Sequence, residues 1–133
     1  MEIELTQTWL LVDDMPRALS FYRDTLGLNI VSDLGQYVEL QVQGNDSFLL
    51  ALFERGAMEQ GEPAIAISPV SRQHAVIVFT VPGLDDYCAK LRAKGVAFES
   101  DPADHIEWGI RSAFLRDPDG ALLSLYHNIP VVE

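Results

Sequence analysis

The sequence predicts an α+β fold in which two β-α-β-β-β modules form a curved sheet around a central cavity. Three observations predict it. The order strand, helix, three strands occurs twice. Each helix closes on a glycine, Gly27 in the first half and Gly95 in the second. A chain of 133 residues suits one compact domain better than two. The expected layout is a single domain, 1–133, with a first module over about 1–54, a joining segment at 55–72 and a second module over about 73–133.

Residues 5–12 carry Thr, Trp, Leu and Val with no internal Gly or Pro, the composition of a buried strand. Asp13 and Asp14 end it. Asp14 then suits the cap of a helix whose apolar stripe is Met15, Ala18, Leu19, Tyr22 and Leu26, with Pro16 at an early position and Gly27 at the terminus. Three strands are expected at 28–33, 36–43 and 47–54, separated by Gly35 and the turn Gly44-Asn45-Asp46. Apolar periodicity lapses over 55–72, where Gly56, Gly61, Pro63 and Pro69 mark a long connection. A β-branched run at 74–81 opens the second half and stops at Pro82-Gly83. Leu84, Tyr87, Cys88 and Leu91 supply the next helical stripe. Strands at 96–100, 109–116 and 121–127 complete the module, the last two joined by the tight turn Asp117-Pro118-Asp119-Gly120. Each sheet would lay one face on its helix, and joining the other faces makes a hollow where a ligand could sit.

Hydrophobic residues at 48% and charged residues at 22% exclude disordered and collagen-like chains. Nine Lys plus Arg against twenty Asp plus Glu leave a formal charge of −11, which repels phosphate backbones and anionic lipid, so no nucleic-acid partner is expected. The same excess would attract a cation, although solubility alone accounts for it. The single Cys88 forms no internal disulfide, and the opening Met1-Glu2-Ile3-Glu4 lacks the look of a secretion signal, which points to a cytoplasmic location. No apolar run approaches the roughly 20 residues of a membrane span, so no membrane role is expected.

The stretch Thr8-Trp9-Leu10-Leu11-Val12-Asp13-Asp14-Met15, continued by Ala18-Leu19-Ser20-Phe21-Tyr22-Arg23-Asp24-Thr25-Leu26-Gly27-Leu28, resembles the opening of the vicinal oxygen chelate superfamily, the group of glyoxalases, bleomycin-resistance proteins and extradiol dioxygenases. Trp108-Gly109-Ile110-Arg111-Ser112-Ala113-Phe114-Leu115-Arg116-Asp117-Pro118-Asp119-Gly120 is similar to the final hairpin of many members. These signatures belong to the fold and are shared by binders and enzymes alike.

In metal-dependent members the resemblance implies four ligands, from the first and last strands of the two modules. Gln7 falls at the first, Ala51 at the second, Val76 where a His is expected and Ser124 where a Glu is expected. Zinc wants imidazole, thiolate or carboxylate, and harder ions want several oxygens, so this set is deficient and no metal or other cofactor is expected. His74 lies two residues before Val76, on the same strand face, which keeps a displaced site open. Glu54 and His127 sit at odd offsets and would face the other way.

Period two then gives the lining of the hollow. Trp9 and Leu11 share the face of Gln7, Leu49 and Phe53 that of Ala51, His74 and Val78 that of Val76, and Leu122 and Tyr126 that of Ser124. Trp9, Phe53 and Tyr126 could stack on a flat ligand while Gln7, Ser124 and His74 orient it by hydrogen bonds. The same residues would equally fill an ordinary core. Trp108 and Arg111 flank Gly109 where family members extend a loop over the cavity mouth, and are candidate gate residues, although Arg111 could instead pair with a surface carboxylate. The stretch holding Asp101, Asp104, His105 and Glu107 reads as a solvated loop.

No phosphate-binding glycine loop, nucleophile elbow, His-Glu-x-x-His or paired-cysteine motif is present, and Cys88 on the apolar helical stripe reads as a buried, inert thiol. No catalytic residue is identified. The first functional reading is a metal-free protein of the bleomycin-resistance type that sequesters an aromatic or cationic small molecule, conferring antibiotic resistance. The alternative is a divalent-metal-dependent glyoxalase-like lyase, isomerase or dioxygenase. A third is an interaction module with a filled hollow. The resemblance also implies a homodimer, with modules sometimes exchanged across the joining segment.

Overall fold

The computed structural model describes residues 7–44, 48–61 and 75–130. The chain divides into two compact units, 1–71 and 72–133, each built on its own four-stranded sheet. The predicted strand ends at residues 5, 6, 47 and 74 lie outside the described residues.

The first unit runs β1 (Gln7–Val12), α1 (Met15–Leu19), a π-helical continuation (Ser20–Thr25), β2 (Asn29–Asp33), β3 (Tyr37–Gln41), β4 (Leu49–Glu54) and α2 (Arg55–Gly61). Asp14 caps α1 as expected, its carboxylate accepting from the Arg17 N–H at 3.1 Å. Where one uninterrupted α-helix was expected, the backbone widens after Leu19, with the Leu26 N–H reaching the Phe21 carbonyl at 2.9 Å. Gly27, at φ 81°, turns the chain out of the helix, a left-handed conformation that a side chain would oppose. The sheet order is β1-β4-β3-β2, with β1 parallel to β4 and the other pairs antiparallel. Val38, Leu40, Leu50 and Leu52 alternate onto one face and are buried, as are Met15, Ala18 and Tyr22 of the helix. A buried leucine contributes about 1.5–3 kcal/mol, so this alternating face holds the unit together.

The segment after β4, expected to be irregular, begins with helix α2. Ala57, Met58, Glu59 and Gln60 are good helix formers, and the flanking Gly56 and Gly61 hid them from a periodicity reading.

The second unit runs β5 (Val76–Thr80), α3 (Leu84–Ala93), β6 (Phe98–His105), a short 3-10 turn (Ile106–Trp108), β7 (Ile110–Arg116) and β8 (Leu122–Asn128), in sheet order β5-β8-β7-β6. Leu84, Cys88 and Leu91 are buried, as are Ala113, Leu115, Leu123 and Leu125 of the sheet. Asp85 and Asp86 in the first turn of α3 and Lys90 and Arg92 in the last complement the helix dipole. At its end the Val96 N–H bonds the Leu91 carbonyl and the Gly95 N–H bonds that of Arg92, a Schellman closure.

Strand β6 continues through the acidic stretch expected to be a loop. It lies at the sheet edge, where Pro102 and the charges of Asp101 and Asp104 are tolerated, and its pairing with β7 is interrupted by irregularities around Ser100. The turn between β7 and β8 is built as expected. Asp117 Oδ1 accepts from the N–H groups of Asp119 and Ala121 at 2.9 and 2.8 Å.

Candidate functional site

In the first unit, the sheet face turned away from Val38 and Leu40 carries the aromatic cluster. Register builds it. Leu11, Phe53 and Tyr37 form one row across β1, β4 and β3, and Trp9, Ala51 and Glu39 form the next. Gln7 pairs with Leu49 one row further on and shares the face of Trp9 by the two-residue period of the strand.

The rings of Trp9, Phe53 and Tyr37 meet edge to face, with centroids 5.2 Å apart for Trp9–Phe53 and Tyr37–Phe53 and 6.1 Å for Trp9–Tyr37. Gln7 locks two of them. Its Oε1 accepts from the Trp9 indole N–H at 2.9 Å and lies 2.9 Å from the Tyr37 hydroxyl. That hydroxyl is also 2.8 Å from Glu39 Oε2. Trp9 keeps 46% of its surface exposed, whereas Ala51 beside it is fully buried. Burial, and then the hydrogen bond to Glu39, push the Tyr37 phenol above its ordinary value.

The second unit presents Val78, Ser124 and Phe114 as one row and Thr80, Tyr126 and Ser112 as the next, on the face opposite Leu123 and Leu125. Val76 and Val78 are exposed, and Ser112 and Ser124 are buried. The Ser112 hydroxyl finds no hydrogen-bond partner among the described residues.

The predicted site residues fall in both units. Gln7, Trp9 and Phe53 come together in the first unit, and Ser124 and Tyr126 share a face in the second. His74 lies outside the described residues. Trp108 stands in the 3-10 turn, 61% exposed and stacked on His105 at 4.6 Å. Arg111 falls on the α3 side of its sheet, one residue out of step with Ser112. Its guanidinium donates to Asp85 of α3 at 3.1 Å and to Asp104 of β6 at 3.1 Å, so the charge is engaged there instead of on the face of Ser124. Tyr37 and Glu39 escaped the sequence reading. Their strand was recognised, but only its antiparallel register with β4 puts them beside Ala51.

The four positions that the resemblance aligns with metal ligands, Gln7, Ala51, Val76 and Ser124, carry side chains that do not fit a divalent cation. Gln7 Oε1 is already occupied by Trp9, Ala51 and Val76 hold no donor atom, and Ser124 offers only a neutral hydroxyl. Among the described residues no three His, Cys, Asp or Glu side chains gather into a cation-holding group.

Comparison with known proteins gives a consistent picture. The model of the Glyoxalase/Bleomycin resistance protein/Dioxygenase superfamily matches residues 4–125. YraH of Bacillus subtilis (strain 168), an uncharacterized protein, is 33% identical over 126 residues, 93% of this chain and 98% of its own. A glyoxalase/bleomycin resistance protein/dioxygenase from Nocardioides superposes with a TM-score of 0.80 at 22% identity, over 100% of this chain and 88% of that one. TnmS3, an antibiotic binding protein from Streptomyces sp. CB03234, does so with a TM-score of 0.73 at 24% identity, over 98% of each chain.

Proposed function

Because the chain belongs to the Glyoxalase/Bleomycin resistance protein/Dioxygenase superfamily, we propose that it is a small-molecule-binding protein that sequesters an aromatic or cationic compound without metal. The carrying observation is the cluster of Trp9, Tyr37 and Phe53, held by Gln7 and leaving the indole 46% exposed. Stacking against an indole whose orientation is already set by a hydrogen bond avoids part of the ordering cost of binding. Sequestration needs no turnover, because bound compound is withheld from its target in proportion to protein concentration and affinity. The antibiotic-binding relative from Streptomyces lends the reading support at the level of the fold.

In this proposal Gln7, Trp9 and Phe53 touch the ligand. Arg111 holds α3 to its sheet. A cytoplasmic location, with a homodimer as the working assembly, completes the proposal, and no helix among the described residues is long and apolar enough to cross a membrane.

The test is isothermal titration of chelator-treated protein against a panel of flat aromatic and cationic compounds. Binding of at least one of them at micromolar concentration is expected, with Trp9→Ala abolishing it. Absence of binding below about millimolar to every member, or binding and turnover that appear only after a divalent metal is restored, overturns the proposal.

A further inference from the structure

The cluster around Gln7 is one hydrogen short. Three close polar contacts link it: indole N–H to Gln7 Oε1 at 2.9 Å, phenol to Gln7 Oε1 at 2.9 Å, and phenol to Glu39 Oε2 at 2.8 Å. Only the indole and the phenol bring a proton, one each. Rotating the Gln7 amide does not help, because its NH₂ group would then face the indole N–H, so Trp9 fixes Oε1 inward. The phenol proton has to choose, and a carboxylate is the stronger acceptor. Donation to Glu39 leaves the Tyr37 and Gln7 oxygens face to face without a hydrogen between them.

A ligand that brings an N–H⁺ to the Glu39 carboxylate neutralises its charge and weakens it as an acceptor for the phenol, so the phenol proton turns to Gln7 and the set is complete. Glu39 has the capacity: a carboxylate offers about four acceptor directions, and among the described residues it pairs with no Lys or Arg. Geometry matches the same visitor. Trp9 and Glu39 both pair with Ala51, from opposite sides, so the indole and the carboxylate stand two strands apart, about 10 Å between backbones. The two side chains converge on the Gln7–Tyr37 network between them, so a ring system lying on the indole can direct its charged nitrogen at the carboxylate.

Building on the binding function proposed above, we infer that Glu39 is the specificity-determining residue of the site, selecting aromatic cations that carry an N–H donor. Neutral aromatics and cations lacking a hydrogen on nitrogen stack on Trp9 but leave the network incomplete.

Three flat compounds of similar shape separate the contributions: proflavine, a cation with N–H groups; N-methylacridinium, a cation without them; and acridine, uncharged in mildly alkaline buffer. Titrated calorimetrically into the native protein, proflavine is expected to bind about tenfold more tightly than N-methylacridinium, and acridine most weakly. Glu39→Gln reduces proflavine affinity about tenfold and closes the gap to N-methylacridinium. Glu39→Asp, which keeps the charge, retains the preference. Circular dichroism confirms that each variant is folded. Equal affinity for proflavine and N-methylacridinium, or an unaltered preference in Glu39→Gln, overturns the role of Glu39 while leaving aromatic binding intact. Failure of all three compounds to bind the native protein overturns this inference, while the wider panel above decides the binding function.

Discussion

Trp9 and Glu39 pair with the same residue, Ala51, from the two strands that flank it. The small side chain between them is fully buried while the indole is 46% exposed. At the position that the resemblance aligns with an acidic metal ligand, this chain carries a methyl group beside an aromatic cluster.

Restoring the carboxylate should therefore not restore a metal site. Ala51→Glu forces a longer, charged side chain into a filled space and is expected to cost at least about 1–3 kcal/mol. Thermal unfolding with and without zinc measures this, and the expected result is a lowered Tm that zinc does not raise.

Gln7→Leu removes the acceptor that orients Trp9 and faces Tyr37. The exposed indole N–H finds water instead, so the stability loss should be no more than about 1 kcal/mol. Binding of an aromatic compound should weaken more than stability does, because the ring loses its fixed orientation. Denaturant unfolding and calorimetric titration on the same sample compare the two.

Tyr37 should titrate late. Its pKa is raised above the ordinary 10.0 by burial first and by Glu39 second, so the folded protein keeps the proton over a range where the unfolded chain has released it. This group's contribution to stability is complete below pH 10 and is lost as the pH rises through the folded value. Tyrosinate absorbance of the native protein minus that of Tyr37→Phe isolates the group, and Glu39→Gln should move its titration to lower pH.

Cys88 should be inert in the folded state. It is completely buried on α3, and burial raises its thiol above the usual value. An aromatic disulfide reagent is expected to label it only as fast as the protein opens, and at once in denaturant. Rapid labelling of native protein would contradict that.

Arg111→Met separates a brace from a gate. Loss of the contacts to Asp85 and Asp104 should lower Tm modestly, and the difference from native protein should shrink at high salt. Ligand affinity should not change. A variant with unaltered Tm and weakened binding would assign Arg111 to the ligand.

Much of this architecture was legible in the chain because it rests on contacts between residues close in sequence. The Asp14 cap, the glycine closures at Gly27 and Gly95 and the Asp117 turn each satisfy backbone groups within a few positions, and each formed where expected. Helix α2 and the length of β6 were hidden for the opposite reason: glycines interrupted one pattern, and an edge position excused the poor strand formers of the other.

The sequence by itself determined the β-α-β-β-β order of each module, the faces of β1 and β4 and the side-chain chemistry at Gln7, Ala51, Val76 and Ser124, since strand period and side-chain chemistry are local properties. Only the tertiary structure decided that Tyr37 and Glu39 join Trp9 and Phe53, and that Arg111 turns toward α3. Those outcomes depend on pairing register between strands distant in sequence, where a shift of one residue exchanges every side chain between the two faces.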